Sequence, residues 1–338
     1  MSKKKKPDRI NRFKEEHIMV SHKKLKGILQ NWNLENEKLT DVVCEGTGNV
    51  SESACYVGDN YIIKFSLNLG NVEKHIALSQ ALESVGLSSA TPVKTKEGNY
   101  VVASEELYFY VTKRLAGKQL KPGTIYLEEY MSQARFIGEI IGQLSVALTK
   151  VDVVTNQADI FKSAKEWAIP ALADRIDLPN EFIERYEKVF GAVYESLPQQ
   201  IIHRDPNPGN IILSDDKWGF VDFDLSERNI RIFDPCYAAA AILSESFEDY
   251  NTDKLRQWIM IYKDILYGYD EVVKLTDNEW KAIPYVIITN QFISTAWFAE
   301  QEKYSELYET NRKITEWMLQ NFEDMIFVHI DPEQVFEL

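Results

Sequence analysis

Cysteine is scarce: only Cys44, Cys55 and Cys236 stand among 338 residues, too few and too scattered for a disulfide framework. No C-x-x-C pair or histidine-rich cluster marks a zinc site. Positive charge is also short, with 38 Lys plus Arg against 52 Asp plus Glu and a formal net charge of −14. That balance argues against non-specific binding to nucleic acid or to an anionic membrane. Long hydrophobic runs are missing: 283–299 is interrupted by Thr289, Asn290, Gln291, Ser294 and Thr295 and falls short of the roughly 20 residues a spanning helix needs. The amino-terminal MSKKKKPDRINRFKEEH is charged and has no apolar stretch, unlike a secretory signal. These absences predict a soluble, cytoplasmic, reduced chain in which Cys44 and Cys55 are small core residues. The lack of G-x-x-x-x-G-K-[ST] and G-x-G-x-x-G excludes ordinary P-loop and Rossmann sites, and the lack of G-x-S-x-G removes support for a serine hydrolase.

What is present is ample apolar material, 45% of residues, with 12% aromatic, enough for a large core. The length predicts two packed lobes rather than one. Charge is uneven: residues 1–118 carry 18 basic and 14 acidic side chains, whereas residues 119–338 carry 20 and 38. A mildly basic front and a strongly acidic back fit a phosphate-binding part joined to a part receiving a cationic ligand. They also fit plain acidic solubility.

Patterning divides the chain further. Residues 1–17 read as a charged tail. From 18 to 114 the sequence predicts a helix carrying Leu25, Ile28, Leu29 and Trp32, then strands at 41–44, 54–57 and 61–65, a helix at 71–85, and strands at 100–104 and 107–113. Residues 115–123 read as a hinge or linker. From 124 to 338 the pattern is mostly helical, with helices expected over 130–150, 180–197, 253–267, 277–301 and 307–322. It is broken by two short β-like runs at 211–213 and 219–223. The expected fold class is α+β, an antiparallel amino-terminal sheet with one main helix beside a larger helical lobe.

The chemistry is concentrated in His203-Arg204-Asp205-Pro206-Asn207-Pro208-Gly209-Asn210 and in Val221-Asp222-Phe223-Asp224. Phosphoryl transfer needs a carboxylate beside the acceptor hydroxyl, plus a second carboxylate and a carboxamide for divalent ions. One turn supplies Asp205 and Asn210, and the returning strand supplies Asp222. Upstream, Gly46, Thr47, Gly48 and Asn49 join two strands, as a loop folding over phosphates would; a simple hairpin accounts for them equally. Lys64 lies in the next strand between Ile63 and Phe65, on the face opposite theirs. Glu73, in the helix that follows, has the order of a kinase lysine's partner, although a solvated helix glutamate also fits.

These segments, with Ile232-Phe233-Asp234-Pro235-Cys236-Tyr237-Ala238 and the helix GEIIGQLSVAL, make the chain resemble the aminoglycoside phosphotransferase and choline kinase group, whose fold is the two-lobed protein-kinase fold. The resemblance runs from about Val20 to about Ala299. It implies that Asp205 is the catalytic base and that Asn210 and Asp222 are Mg2+ ligands. It also implies that Lys64 touches the α/β-phosphates of ATP or GTP and that Lys113, Arg114 and Leu115 form the adenine hinge. Asp234 would be the structural acid opening the next helix. The sequence departs from that pattern at Arg204, where such kinases usually have Gly, at Asn207, often His, and at Leu144-Ser145, often Leu-His. His75 is a second helix residue that could face the site, and His203 and Asp224 are possible accessory groups.

Only 12 positions separate Asp222 from Asp234, and no A-P-E follows, so a peptide-docking activation segment has no room. The expected acceptor is therefore a small molecule. The acidic, aromatic-rich back, with Trp258, Trp280, Trp297, Phe298 and Tyr304, suits an amine-bearing acceptor such as an aminoglycoside, an amino alcohol or a homoserine-like compound, although most of those rings also fit a core. A nucleotide-binding regulatory protein without transfer, or a kinase acting on protein, are the competing readings. The sequence leaves the oligomeric state open.

Overall fold

The computed structural model describes residues 20–43, 50–127, 129–214, 217–249 and 251–327. The amino-terminal region is built on a short helix, α1 (His22–Leu29), whose Ser21 side chain accepts the Lys24 N–H and whose Leu25 and Leu29 are buried. Asn33, in the left-handed region at φ 57°, stops the following single turn, where an L-residue pays least if it is Asn or Gly. Trp32 then donates to the Val93 carbonyl at 2.9 Å, tying this helix to the sheet.

The sheet comprises β1 (Leu39–Val43), β2 (Val50–Val57), β3 (Tyr61–Ser66), β5 (Pro92–Val93), β6 (Val101–Ser104) and β7 (Leu107–Lys113), in the order β1-β2-β3-β7-β5 with β6 also paired to β7. Period-two alternation sends Ile63 and Phe65 into the core with Cys55, Val57, Phe109 and Val111, and so turns Lys64 to the other face. On that face lies α2 (Leu69–Ser84), which buries Val72, His75, Ile76, Ser79 and Leu82.

Four short strands form the next sheet, β4 (Ser88–Ser89), β11 (Trp218–Phe220), β10 (Ile211–Leu213) and β8 (Lys118–Gln119), in that order. The stretch expected as a free linker thus contributes a strand, because the Gly117–Gln119 backbone finds the open edge of β10. The end of α2 closes the other edge through a parallel pairing of β4 with β11. A two-stranded ribbon, β9 (Gln199–Ile202) with β12 (Glu227–Ile230), completes the β structure. Consequently residues 203–210 run from β9 to β10 and residues 221–226 from β11 to β12. Two hydrogen-bonded ribbons hold these turns side by side.

The remainder is helical: α3 (Tyr130–Leu148), α4 (Ile160–Ser163), α5 (Ile169–Leu172), α6 (Asn180–Arg185), α7 (Gly191–Tyr194), α8 (Phe233–Ser246), α9 (Thr252–Val272), α10 (Asp277–Ala299) and α11 (Ser305–Gln320). Turns with π-type bonding, Ala164–Ala168 and Tyr186–Phe190, make α4–α5 and α6–α7 into two continuous helical segments. α3 and α9 cross with a glycine on each side: a Cβ at Gly138 would collide with the Ile265 carbonyl, and one at Gly268 with the Arg135 carbonyl. α10 opens with a capping box between Thr276 and Glu279. Among the described residues no helix is long and apolar enough to cross a membrane. The antiparallel sheet in front and the helical body behind match the expected α+β, two-lobed kinase-like architecture.

Candidate active site

Each side chain at the junction is placed by one of the two adjacent turns or by the sheet facing them. Asp205 follows Arg204, whose φ of 73° is a left-handed conformation disfavoured by about 1–2 kcal/mol for a residue with a Cβ. The glycine usual at this position in such kinases would carry no such penalty. Here the strain is offset by Asp234, at the start of α8, whose carboxylate accepts the His203 N–H at 2.8 Å and the Arg204 N–H at 2.9 Å. The Arg204 guanidinium also comes within 2.7 Å of Glu227, which is buried. Burial pushes the Asp234 carboxyl up to about 7, against those two hydrogen bonds. His203 is fully buried and lies 3.0 Å from the Val221 carbonyl; burial lowers its pKa to about 4. A neutral imidazole thus bridges the two turns.

Asp205 is held from both sides. Asn207 donates to Oδ1 at 2.8 Å, and the Asn210 amide donates to the Asp205 carbonyl at 2.9 Å and to Oδ2 at 3.2 Å. Burial raises its pKa to about 6, the Asp222 charge adds to the rise, and the donors from Asn207 and Tyr237 oppose it. The carboxyl is therefore mostly ionised at neutral pH. Because the Asn210 nitrogen faces Asp205, its carboxamide oxygen has no partner among the described residues and is available to a cation. Val221 N–H bonds the Asn210 carbonyl at 3.1 Å, which sets Asp222 beside that amide. Asp222 itself takes a left-handed φ of 69°.

From the sheet, Lys64 Nζ donates to Asp222 Oδ1 at 2.9 Å and lies 3.8 Å from Asp224 Oδ2. Burial opposes the ammonium charge, but the two carboxylates prevail and hold its pKa well above the ordinary lysine value. His75 of α2 brings Nδ1 to 2.8 Å from Asp224 Oδ1, a close approach without hydrogen-bond alignment. Lys74 donates to the carbonyls of Asp224 and Ser226 at 2.7 and 2.9 Å. Asp224 stays well below the usual carboxylate range, since Lys64 and His75 outweigh its dehydration. Donor atoms of His75, Asp222 and Asp224 lie within 4.8 Å of one another. With the free Asn210 oxygen, this cluster has the oxygen donors that a hard divalent cation such as Mg2+ takes.

The pairing expected between Glu73 and Lys64 is not formed. α2 turns its Val72, Ile76 and Ser79 face inward, and one residue past Val72 is a rotation of about 100°, which leaves Glu73 exposed. The inward residue is His75, and Asp224 takes the place beside Lys64. Gly46, Thr47, Gly48 and Asn49 lie outside the described residues, as does Cys44. At the hinge, Lys113 N–H bonds Thr91 O and Arg114 N–H bonds Asn60 O, each at 2.8 Å. Arg114 also stacks on Tyr56 at 4.4 Å. Both of those amides are occupied, whereas the Leu115 N–H has no partner among the described residues. Where such kinases often have histidine, Ser145 instead bonds Tyr269 at 2.8 Å and receives Gln200 at 2.9 Å.

Two groups escaped the sequence reading. Tyr237, inside the recognised 232–238 segment, hydrogen-bonds Asp205, and its signal was the spacing one helical turn after Asp234. Glu245, two turns further along α8, is pushed up to about 7 by dehydration and by the Asp205 charge. The aromatics expected to suit an amine-bearing acceptor divide between the core and a half-buried cluster. Trp258 is fully buried against Tyr262 and Trp317, and Trp297, Phe298 and Tyr304 pack on one another.

A family model described as "Phosphotransferase enzyme family" matches residues 47–271. No curated protein matches the sequence. Among solved structures, the amicoumacin kinase hAmiN in complex with AMP-PNP, Ca2+ and Ami is similar at a TM-score of 0.64 and 15% identity, over 92% of this chain and 96% of that one. A microcompartment-associated aminopropanol kinase gives 0.65 at 13%, over 91% and 99%. A choline/ethanolamine kinase family protein from Mesorhizobium loti gives 0.61 at 13%, over 90% and 97%. At these identities the shared property is the fold.

Proposed function

This chain belongs to the phosphotransferase enzyme family and is a small-molecule kinase, and we propose that it moves the γ-phosphoryl group of ATP or GTP to a hydroxyl of an amine-bearing acceptor. The observation that carries this reading is Asp205, gripped by Asn207 and Asn210 beside the Lys64–Asp222–Asp224 cluster. In this reading the Asp205 carboxylate accepts the acceptor hydroxyl's proton, and a pKa near 6 suits a base working at neutral pH. Asn207 and Tyr237 fix the direction of its lone pairs, so that little reorganisation is needed when the hydroxyl arrives.

Asn210 and Asp222 would hold Mg2+, which when bound neutralises charge on the phosphate oxygens. Lys64 would leave Asp222 for the nucleotide phosphates, and Asp224, held by His75, would keep the lysine in place. The open Leu115 N–H supports main-chain recognition of the base.

A small acceptor is favoured because residues between Asp222 and α8 are consumed by the turn at 224–226 and by β12, leaving no segment on which a peptide could lie. An amine is favoured because the Asp205 and Glu245 carboxyls lie near each other beside Tyr237 on the α8 side, whereas Glu248 is already paired with Lys254. The test is a transfer screen with MgATP and MgGTP against amino alcohols, aminoglycosides and hydroxy amino acids. Phosphate should appear on an amine-bearing hydroxyl compound. Tight nucleotide binding with no transfer to any acceptor would favour a regulatory nucleotide-binding protein, and label on polypeptide would favour a protein kinase.

A further inference from the structure

On the sheet face opposite Lys64, three side chains from distant parts of the chain meet at the rim of the small core. His22 is the first residue of α1, Asp41 lies in β1 and Cys55 in β2, and Asp41 stands directly across from Cys55 in the β1–β2 register. His22 Nε2 is 3.0 Å from Asp41 Oδ1 and 3.8 Å from Cys55 Sγ, and all three donor atoms lie within 4.8 Å of one another. Metal–ligand bonds of about 2.0–2.3 Å at tetrahedral angles put donor atoms roughly 3.3–3.8 Å apart, so shifts of a fraction of an ångström would suffice.

The donor set is as informative as the spacing. Thiolate, imidazole and carboxylate together select a borderline-soft ion of the zinc type rather than the hard Mg2+ suited to the Asp222 cluster. Cys55 is buried, whereas the His22 and Asp41 side chains are about half exposed, at 49% and 55%. An ion would thus be anchored from below and open to water at a fourth position.

We propose that His22, Asp41 and Cys55 form a binding site for a divalent transition-metal ion of zinc's class, separate from the nucleotide cleft. Binding replaces the Cys55 S–H bond with a sulfur–metal bond and releases that proton to solvent. It also exchanges the His22–Asp41 contact and the thiol's 3.2 Å approach to the Thr40 carbonyl for bonds to the ion. The ion would fasten α1 to the two strands that flank residues 44–49. No linear motif announces the site, because its donors are 19 and 14 positions apart along the chain and only the β1–β2 pairing with α1 overhead assembles them.

The test titrates the metal-free full-length chain with Co2+ in the absence of nucleotide. One equivalent should produce the thiolate-to-cobalt charge-transfer band, and Zn2+ should displace it. Cys55→Ser should abolish the band, whereas Cys44→Ser and Cys236→Ser should retain it. His22→Ala, a surface change that leaves the core intact, should weaken Co2+ binding by more than about tenfold, the lower end of what losing even an outer partner of a metal ligand costs. Zn2+ should raise the melting temperature of the parent chain but not of His22→Ala. Absence of the band, its survival in Cys55→Ser, or an equal Zn2+ effect on the parent and His22→Ala would overturn the proposal and leave an ion pair beside a buried thiol.

Discussion

The sheet region and the helical region meet at one site but hold their parts of it by different physics. The sheet rests on a thin core of about ten buried apolar side chains between α1 and one sheet face. Among the described residues it offers Lys64, which donates to Asp222 and is balanced by the charges of Asp222 and Asp224, with Lys74 and His75 of α2 alongside. The helical region rests on a far larger core running through α3, α8, α9 and α10. Its contribution, Asp205, is fixed by directional donors from Asn207 and Asn210 and by the Asp234 clamp on the preceding backbone. Directional bonds to a packed scaffold give a group prepared for one geometry, whereas a charge balanced by charges can trade partners when a polyanion arrives. Under the proposed function, this contrast would separate a part built for rate from a part built for nucleotide capture.

The largest expected effect tests the first half of that contrast. Asp205→Asn should lower kcat by roughly 10²–10⁴, the usual worth of a positioned base, and leave nucleotide affinity intact. Because the Asp205 pKa is raised to about 6 in the folded chain, above its unfolded value near 3.9, the folded form prefers the protonated state. The stability linked to this group is full below pH 4 and is lost as the pH rises through about 6. The neutral amide removes that loss but sets its own NH2 against the Asn207 or Asn210 donor, so the two effects oppose and stability at pH 7 should change by less than about 1–2 kcal/mol, measured by denaturant unfolding. A variant that turns over normally would erase the distinction.

Next in size, Lys64→Ala should raise the nucleotide KM and lower kcat/KM by about 10–100-fold, the range for a lost charge-assisted hydrogen bond. If the loss fell on kcat alone, the sheet side would have a catalytic role that the contrast denies it. Smaller still, Asn207→Ala should reduce kcat about tenfold and move the acid limb of the kcat/KM profile above its parent position near pH 6. Asn207 donates to the ionised carboxylate, so removing it favours the proton and raises the pKa. A limb that stays or moves down would show that this amide does not bear on the base.

The same contrast explains what was legible in the sequence. The 203–210 and 221–224 turns are specified locally: His, Asp, Asn, Pro and Gly at fixed offsets determine both the backbone path and the donors, so the gathering of Asp205, Asn210 and Asp222 was readable from a few adjacent residues. The alternation in 61–65 likewise assigned Lys64 its face. The short strands 88–89 and 118–119 were not readable, because each exists only through an edge supplied by β10 or β11 more than 90 positions away. The helical segment 160–172 escaped as well. Composition likewise does not assign the acceptor-side aromatics one by one, since it cannot tell a ring lining a pocket from Trp258 stacked in the core.

The residue beside Lys64 is the sharpest case, and it yields the smallest expected effect. Kinase order pointed to Glu73, but the face a helix turns inward is fixed by what it packs against, and α2 buries Val72, His75, Ile76 and Ser79. Glu73→Ala should therefore leave kcat/KM within about twofold, as for a surface substitution worth no more than about 0.5 kcal/mol. His75→Ala should do more, because His75 is 1% exposed and its Nδ1 lies 2.8 Å from Asp224. Without it Asp224 loses one of the two cationic or polar groups that hold its charge, and the carboxylate's grip on Lys64 weakens. The nucleotide KM should rise in that variant while kcat changes less, the same signature as Lys64→Ala on a smaller scale. The reverse ranking, with Glu73→Ala the more damaging, would mean that nucleotide binding rotates α2 and recruits Glu73 to the lysine, so that the sheet region changes partners by moving a helix rather than a side chain.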